Sequence, residues 1–270
     1  MELELRILWT AIILYVIGGS LAIGAVVLKK RPERTVLALI LLGWLLQTAA
    51  VLARWDRLGH GPFVSMYEIL LSNIWSLVLV FILSYWRIPA IRPSAAVVMP
   101  ILFVMMGWLM LESPGESHLP RSFQTPWLYI HVGLGKVFLG AMLVAVGLAG
   151  VIQLRHTEFG LTRFQRLPED KRLDDLAYRF MALALIFNGL MLVAGAIWAQ
   201  DAWGRYWAWD PLETWAFITW LLLALALHLR MTYKPAPQLS SVMAFAVFAI
   251  AFLTFFGVPF LSDTPHQGTF

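Results

Sequence analysis

The sequence predicts an all-α polytopic integral membrane protein with about eight transmembrane helices and both termini on the outer side of the bilayer. Three observations carry this. Of 270 residues, 60% are apolar and 13% charged, where soluble domains run nearer roughly one half and one quarter. Eight stretches, near 8–28, 35–53, 67–86, 95–112, 128–153, 179–199, 212–230 and 241–261, meet the roughly 20-residue apolar length of a spanning helix. Lys and Arg are also unevenly shared. Fourteen fall after the odd-numbered stretches and five on the opposite side, and short loops that stay in the cytoplasm hold the positive excess.

The elements follow in order. The first stretch comes after Glu2, Glu4 and Arg6, lacks a basic leader and a small-residue cleavage site, and runs into Lys29-Lys30-Arg31. It reads as a retained helix that starts outside. Arg87 and Arg92 place the loop after the third stretch inside, and Arg230 and Lys234 do the same after the seventh. The longest polar segment, 155–178, reads as a cytoplasmic connector of mixed charge. Little chain remains for a soluble domain, so residues 1–270 are expected to form one membrane domain. The formal charge of +4 then marks topology and not nucleic-acid binding. The chain has no Cys, which excludes disulfides, thiolate nucleophiles and Cys-ligated metals.

With no Cys present, any metal chemistry falls to the six histidines. His118 stands beside Glu116 and Ser117, and His156 beside Arg155; both read as surface residues. His131 lies at the outer mouth of the fifth helix behind Trp127 and Tyr129. His266 follows the eighth helix in Ser-Asp-Thr-Pro-His-Gln. Two imidazoles on one membrane face suit axial ligation of a haem iron. His228 ends the apolar run 221–227, where an ionisable group is costly and usually functional. Sixteen residues separate it from Leu212, about 24 Å of helix, so three ligating histidines require two haem positions. The alternative for His228 is snorkelling to the interface beside Arg230.

The most specific segment lies at 198–215, between the sixth and seventh helices. Six of the thirteen Trp fall within 198–220. An aromatic interface belt is the plain reading. A packed shelf of rings in this segment, which runs from Trp198 to Trp215 and has Gly204 for close approach, better suits a planar apolar ligand. Asp210-Pro211-Leu212-Glu213 also makes a preferred helix start, with Asp as N-cap, Pro first and Glu third. Asp210 and Glu213 are therefore read as shapers of the shelf and not as acid–base catalysts.

The run WGRYWAWDPLETWAFITW resembles the WWD signature of the cytochrome c assembly family, in the CcsA (ResC) branch of the System II pathway. GHGPFVSMYEILLSNIWSL at 60–78, WLYIHV at 127–132 and TWLLLALALHLR at 219–230 extend the likeness. The C-terminal SDTPHQGTF departs from the family's usual ending. The resemblance implies His131 and His266 as outer axial ligands of haem iron and His228 as a transmembrane ligand. It implies that Trp203, Trp207 and Trp209 face the vinyl-bearing edge of haem. His60 lies in the matching stretch and is not assigned as a ligand. Lys136, five residues or about 7.5 Å of helix past His131, is open between a haem propionate and an internal acceptor such as Asn188.

What the resemblance implies in function is a subunit of a holocytochrome c synthase in a bacterial inner membrane, its WWD segment facing the periplasm. With a CcsB/ResB-like membrane partner it moves haem b outward and presents it for thioether attachment to the CxxCH thiols of apocytochrome c. The alternative is a HemX-like or CcmC-like protein that binds haem for regulation or delivery without ligation.

Overall fold

Polar groups in an apolar layer must find partners within the protein, and the way this chain satisfies that requirement explains much of its architecture. The computed structural model describes residues 1–28, 32–163 and 167–261. Eight helices are long and apolar enough to cross a membrane, as the sequence predicts, and no strand occurs among the described residues. The contacts cluster in two compact units, Met1–His118 with Gly150–Leu173, and Leu119–Ala149 with Asp174–Phe270.

In the first unit, α1 (Glu2–Leu28) and α2 (Glu33–Leu58) form a hairpin. A Cβ at Gly43 would lie 3.0 Å from the Tyr15 ring, so the small residue is what lets the two helices close up, the usual device where lipid removes the hydrophobic drive. The Tyr15 hydroxyl donates to Gln47 Oε1 at 2.7 Å, and Gln47 Nε2 donates to the Leu71 carbonyl at 2.9 Å. That chain ties α1 and α2 to α3 (Met66–Arg87). Ser65 and Glu68 begin α3 with a reciprocal capping box. Pro89 and Pro93 then enforce a 3-10 turn at Pro89–Ser94 before α4 (Ala95–Leu111).

Arg54 of α2 is fully buried. Its guanidinium meets Glu68 at 2.9 Å and Glu4 at 3.1 Å, and donates to the Pro114 and Gly115 carbonyls. A buried guanidinium is tolerable when its donors are matched in this way. His60 joins the same cluster, with Nδ1 3.0 Å from the Gly61 carbonyl and Nε2 2.9 Å from the Ser117 carbonyl.

α5 (Pro126–Arg155) belongs to both units and is buried at every position from 138 to 152, which matches its apolar character on all faces. After it come the short α6 (Glu158–Arg163) and α7 (Asp170–Trp203). Much of the 155–178 connector is therefore helical, and α7 begins nine residues before the apolar stretch does. Ion pairs hold this polar end: Arg155–Asp170 at 2.6 Å in the first unit, and Arg230 to Asp174 and Asp175 at 2.7 and 2.6 Å in the second. Arg230 also lies 4.7 Å over the Tyr178 ring.

The second unit continues with α8 (Pro211–Tyr233), α9 (Pro237–Phe252), a π-turn at Leu253–Gly257 and α10 (Val258–Leu261). Widened turns of this kind often sit at functional sites. Here the Thr254 hydroxyl, 3.0 Å from that of Thr219, ties the π-turn to α8.

Candidate functional site

The sequence places His131 one turn into α5, and the fold brings α7, α8 and the π-turn around it. One cavity of the second unit is lined by His131, by Met191, Leu192, Gly195 and Ala196 of α7, by Trp207, by Leu212, Glu213 and Ala216 of α8, and by Thr254 and Phe255. The space it encloses is small, about 70 Å³, well under the roughly 300–1,000 Å³ of a site that engulfs a small molecule, so a larger ligand enters it by one edge only. Its walls are mostly apolar.

His131 is held on two sides. Its Nδ1 lies 2.8 Å from the Met191 carbonyl, and its ring stacks on Trp198 with centroids 6.0 Å apart and planes 18° apart. Trp198 is itself buried, donates from Nε1 to the Phe123 carbonyl at 3.2 Å, and meets Trp203 edge-on at 4.9 Å.

The tryptophan segment is a turn locked from both ends. α7 stops at Gly204, whose φ of +75° a residue without a Cβ adopts at least cost, and the Gly204 N–H returns to the Gln200 carbonyl. A Cβ there would meet no atom of the chain within 4 Å, so backbone conformation, and not a close protein contact, accounts for this glycine. At the other end the Asp210 carboxylate accepts the Glu213 N–H at 2.9 Å, and Glu213 Oε2 accepts the Ala208 N–H at 2.7 Å. Between the two bonds Trp209 is forced to a φ of +57°, a conformation that costs a side-chain-bearing residue roughly 1–2 kcal/mol. Trp209 is 66% exposed and meets the Trp207 ring edge-on at 5.6 Å.

Of the residues the sequence singles out, His131, Trp207 and Glu213 share this cavity. Trp203 reaches it through Trp198, and Trp209 through Trp207. Asp210 and Gly204 shape the turn. Trp215 is exposed on α8, outside the cavity wall. His228 is exposed near the far end of the same helix. Lys136 is half-buried on α5 and does not line the cavity. The Asn188 amide, fully buried, makes no hydrogen bond among the described residues, so it is not the internal acceptor suggested for Lys136. His266 lies outside the described residues. Both ring nitrogens of His60 face carbonyl oxygens in the first unit. His156 pairs with Asp170 at 2.8 Å, and His118 is exposed. No three His, Asp or Glu side chains converge as a metal cage among the described residues.

Residues 63–266 match the family model described as cytochrome C assembly protein. The chain belongs to the cytochrome c assembly protein family. Its relatives lie in the CcsA branch. It is 29% identical over 278 residues to cytochrome c biogenesis protein CcsA of Prochlorococcus marinus strain MIT 9301, covering 93% of this chain and 89% of the relative. It is 30% identical over 259 residues to CcsA of Panax ginseng, covering 82% and 81%. Among solved structures, cytochrome c haem lyase CcmF aligns over 99% of this chain with a TM-score of 0.73 and 22% identity. That likeness shows a shared fold, and the chain spans about half of CcmF, 48% of its length.

Within this cytochrome c assembly protein, sequence reasoning missed Met191 and Gly195, and took Trp198 only as the first ring of the tryptophan segment, with no place at the site. Gly195 and Trp198 are three residues apart on α7 and therefore share a face. The small run Ala194-Gly195-Ala196 just before Trp198 was the available signal.

Proposed function

We propose that this chain is the haem-handling subunit of a System II cytochrome c synthase. With a CcsB/ResB-like membrane partner it moves haem b outward and presents it to apocytochrome c. The observation that carries the reading is the convergence of His131, Trp207 and Glu213 on one apolar cavity bounded by the tryptophan turn. The chemistry of the residues present suits one edge of such a ligand. The cavity is walled by Met, Leu, Ala and aromatic side chains, and the buried Trp207 Nε1–H has no hydrogen-bond partner among the described residues, a donor that an acceptor on a bound molecule would satisfy.

In this reading His131 is one axial ligand and His266 the second, and His228 serves a separate transmembrane position. The exposure of His228 leaves its ring accessible to a ligand shared with another subunit. The excess of Lys and Arg on the opposite side supports reading the His131 end as the outer one. Trp203, Trp207 and Trp209 orient the ring, Lys136 contacts a propionate, and Asp210, Glu213 and Gly204 hold the turn.

Ligation itself is an addition. Each CxxCH thiol of the substrate forms an S–C bond to a vinyl carbon, the thiol hydrogen ends on the neighbouring carbon, and no net oxidant or reductant is consumed. The chain's contribution is position, which removes the entropic part of bringing thiol and vinyl together. The absence of Cys is consistent with sulfurs supplied by the substrate.

The test is co-expression with a ResB-like partner and an apocytochrome c in cells lacking their own assembly system. Covalent haem on the cytochrome, seen as haem stain surviving denaturing electrophoresis, is expected for wild type and not for His131→Ala. A cytochrome fully matured by His131→Ala would contradict the proposal. Unmatured cytochrome c together with altered haem synthesis would favour the regulatory alternative.

A further inference from the structure

The wall behind His131 decides which ring nitrogen is presented to the cavity. A carbonyl oxygen only accepts, so the 2.8 Å contact between Nδ1 and the Met191 carbonyl requires the proton on Nδ1. Nε2 then carries the lone pair. This contact exists because α7 has no side chain at the next turn: a Cβ on Gly195 would lie 2.7 Å from Nδ1 and 2.8 Å from Cε1 of His131. Real Cβ atoms essentially never come so near, so any larger residue displaces the ring. Trp198, stacked at 18° on the other side of the same helical face, is fixed by its own bond to Phe123 and limits where the ring can go.

We propose that Gly195 is a positioning residue for the iron ligand. By letting the His131 ring lie against α7, it commits Nδ1–H to the Met191 carbonyl and turns Nε2 toward the iron. Histidines that bind metal commonly donate their second nitrogen to a carbonyl or carboxylate, which fixes tautomer and orientation and raises basicity. Here the acceptor is backbone, so no substitution at Met191 removes it. Gly195 is the position on α7 whose lack of a side chain permits the contact. The inference rests on His131 being a haem ligand and adds how that ligand is set.

Two measurements test it. In the full-length, haem-free wild-type chain labelled with ¹⁵N-histidine, the signal absent from His131→Ala should be that of an imidazole protonated at Nδ1 and bare at Nε2. The opposite tautomer overturns the inference without Gly195→Ala having to fold. In titrations of the purified full-length chain with haemin, Gly195→Ala should bind about 10–100-fold more weakly than wild type, the range for lost support behind a ligating histidine. Its haem should have a higher midpoint potential, because a ligand relieved of its hydrogen bond donates less to ferric iron. Wild-type affinity and potential in Gly195→Ala, with binding abolished in His131→Ala, would overturn the role of Gly195 and leave the ligand standing. Unchanged binding in His131→Ala would remove the ligand and this inference together.

Discussion

At the scale of single residues, the site depends on side chains whose freedom has been taken away. The His131 ring has a hydrogen bond on one side and Trp198 on another. Trp209 sits in a backbone conformation that a glycine would adopt more readily. Trp209→Gly should therefore leave stability within about 1 kcal/mol of wild type, since strain relieved offsets lost packing and added chain entropy. Haem presentation should fall all the same, because the exposed ring is gone. Thermal unfolding read beside the yield of covalent cytochrome separates the two effects; a parallel loss of both would show that the ring is merely structural. His131, Trp207 and Glu213 were legible in the sequence because each residue type carries its chemistry in its identity and place. Met191 was not, because its contribution is a backbone carbonyl, which no side chain advertises.

Among the elements, the start of α8 and the cluster around Arg54 each make a distinct demand. Asp210→Ala removes an N-cap and should cost about 1 kcal/mol. Glu213→Ala also strands the Ala208 N–H and should cost roughly 1–3 kcal/mol, with faster proteolysis at 204–209 as the specific sign that the turn has loosened. Equal proteolysis in both variants and wild type would contradict the lock. In the first unit, Glu68→Leu deprives buried Arg54 of a carboxylate and α3 of its capping box. A loss of about 3–5 kcal/mol is expected in denaturant unfolding. The apolar stretches revealed the existence of all eight long helices, but their ends less well. α7 extends to Asp170 because Arg155 and Arg230 pair its acidic first turns, and such pairing between distant positions leaves no mark on local hydropathy. The Asp210 start was legible because a cap is a local signal.

For the whole molecule, the uneven spread of Lys and Arg predicts a single orientation. A chain without Cys permits a clean check. In whole cells, a membrane-impermeant maleimide should label Arg205→Cys directly and Thr157→Cys only after permeabilisation; the reverse pattern would contradict the orientation. The fold class was open to sequence because burying backbone in lipid permits few solutions. The cavity was not, because it is formed by segments 60 to 124 residues apart in the chain, from His131 to Met191 and to Phe255. In the proposed function His131 holds haem at the mouth of this cavity. The most direct measurement is the absorption spectrum, oxidised and dithionite-reduced, of protein purified from haem-replete cells as wild type, His131→Ala and His228→Ala. A b-type spectrum with two axial histidines that weakens in His131→Ala, with His228→Ala affecting a separate component, is the predicted result. A wild-type protein without a Soret band, or a band indifferent to His131, would leave His131 without that role.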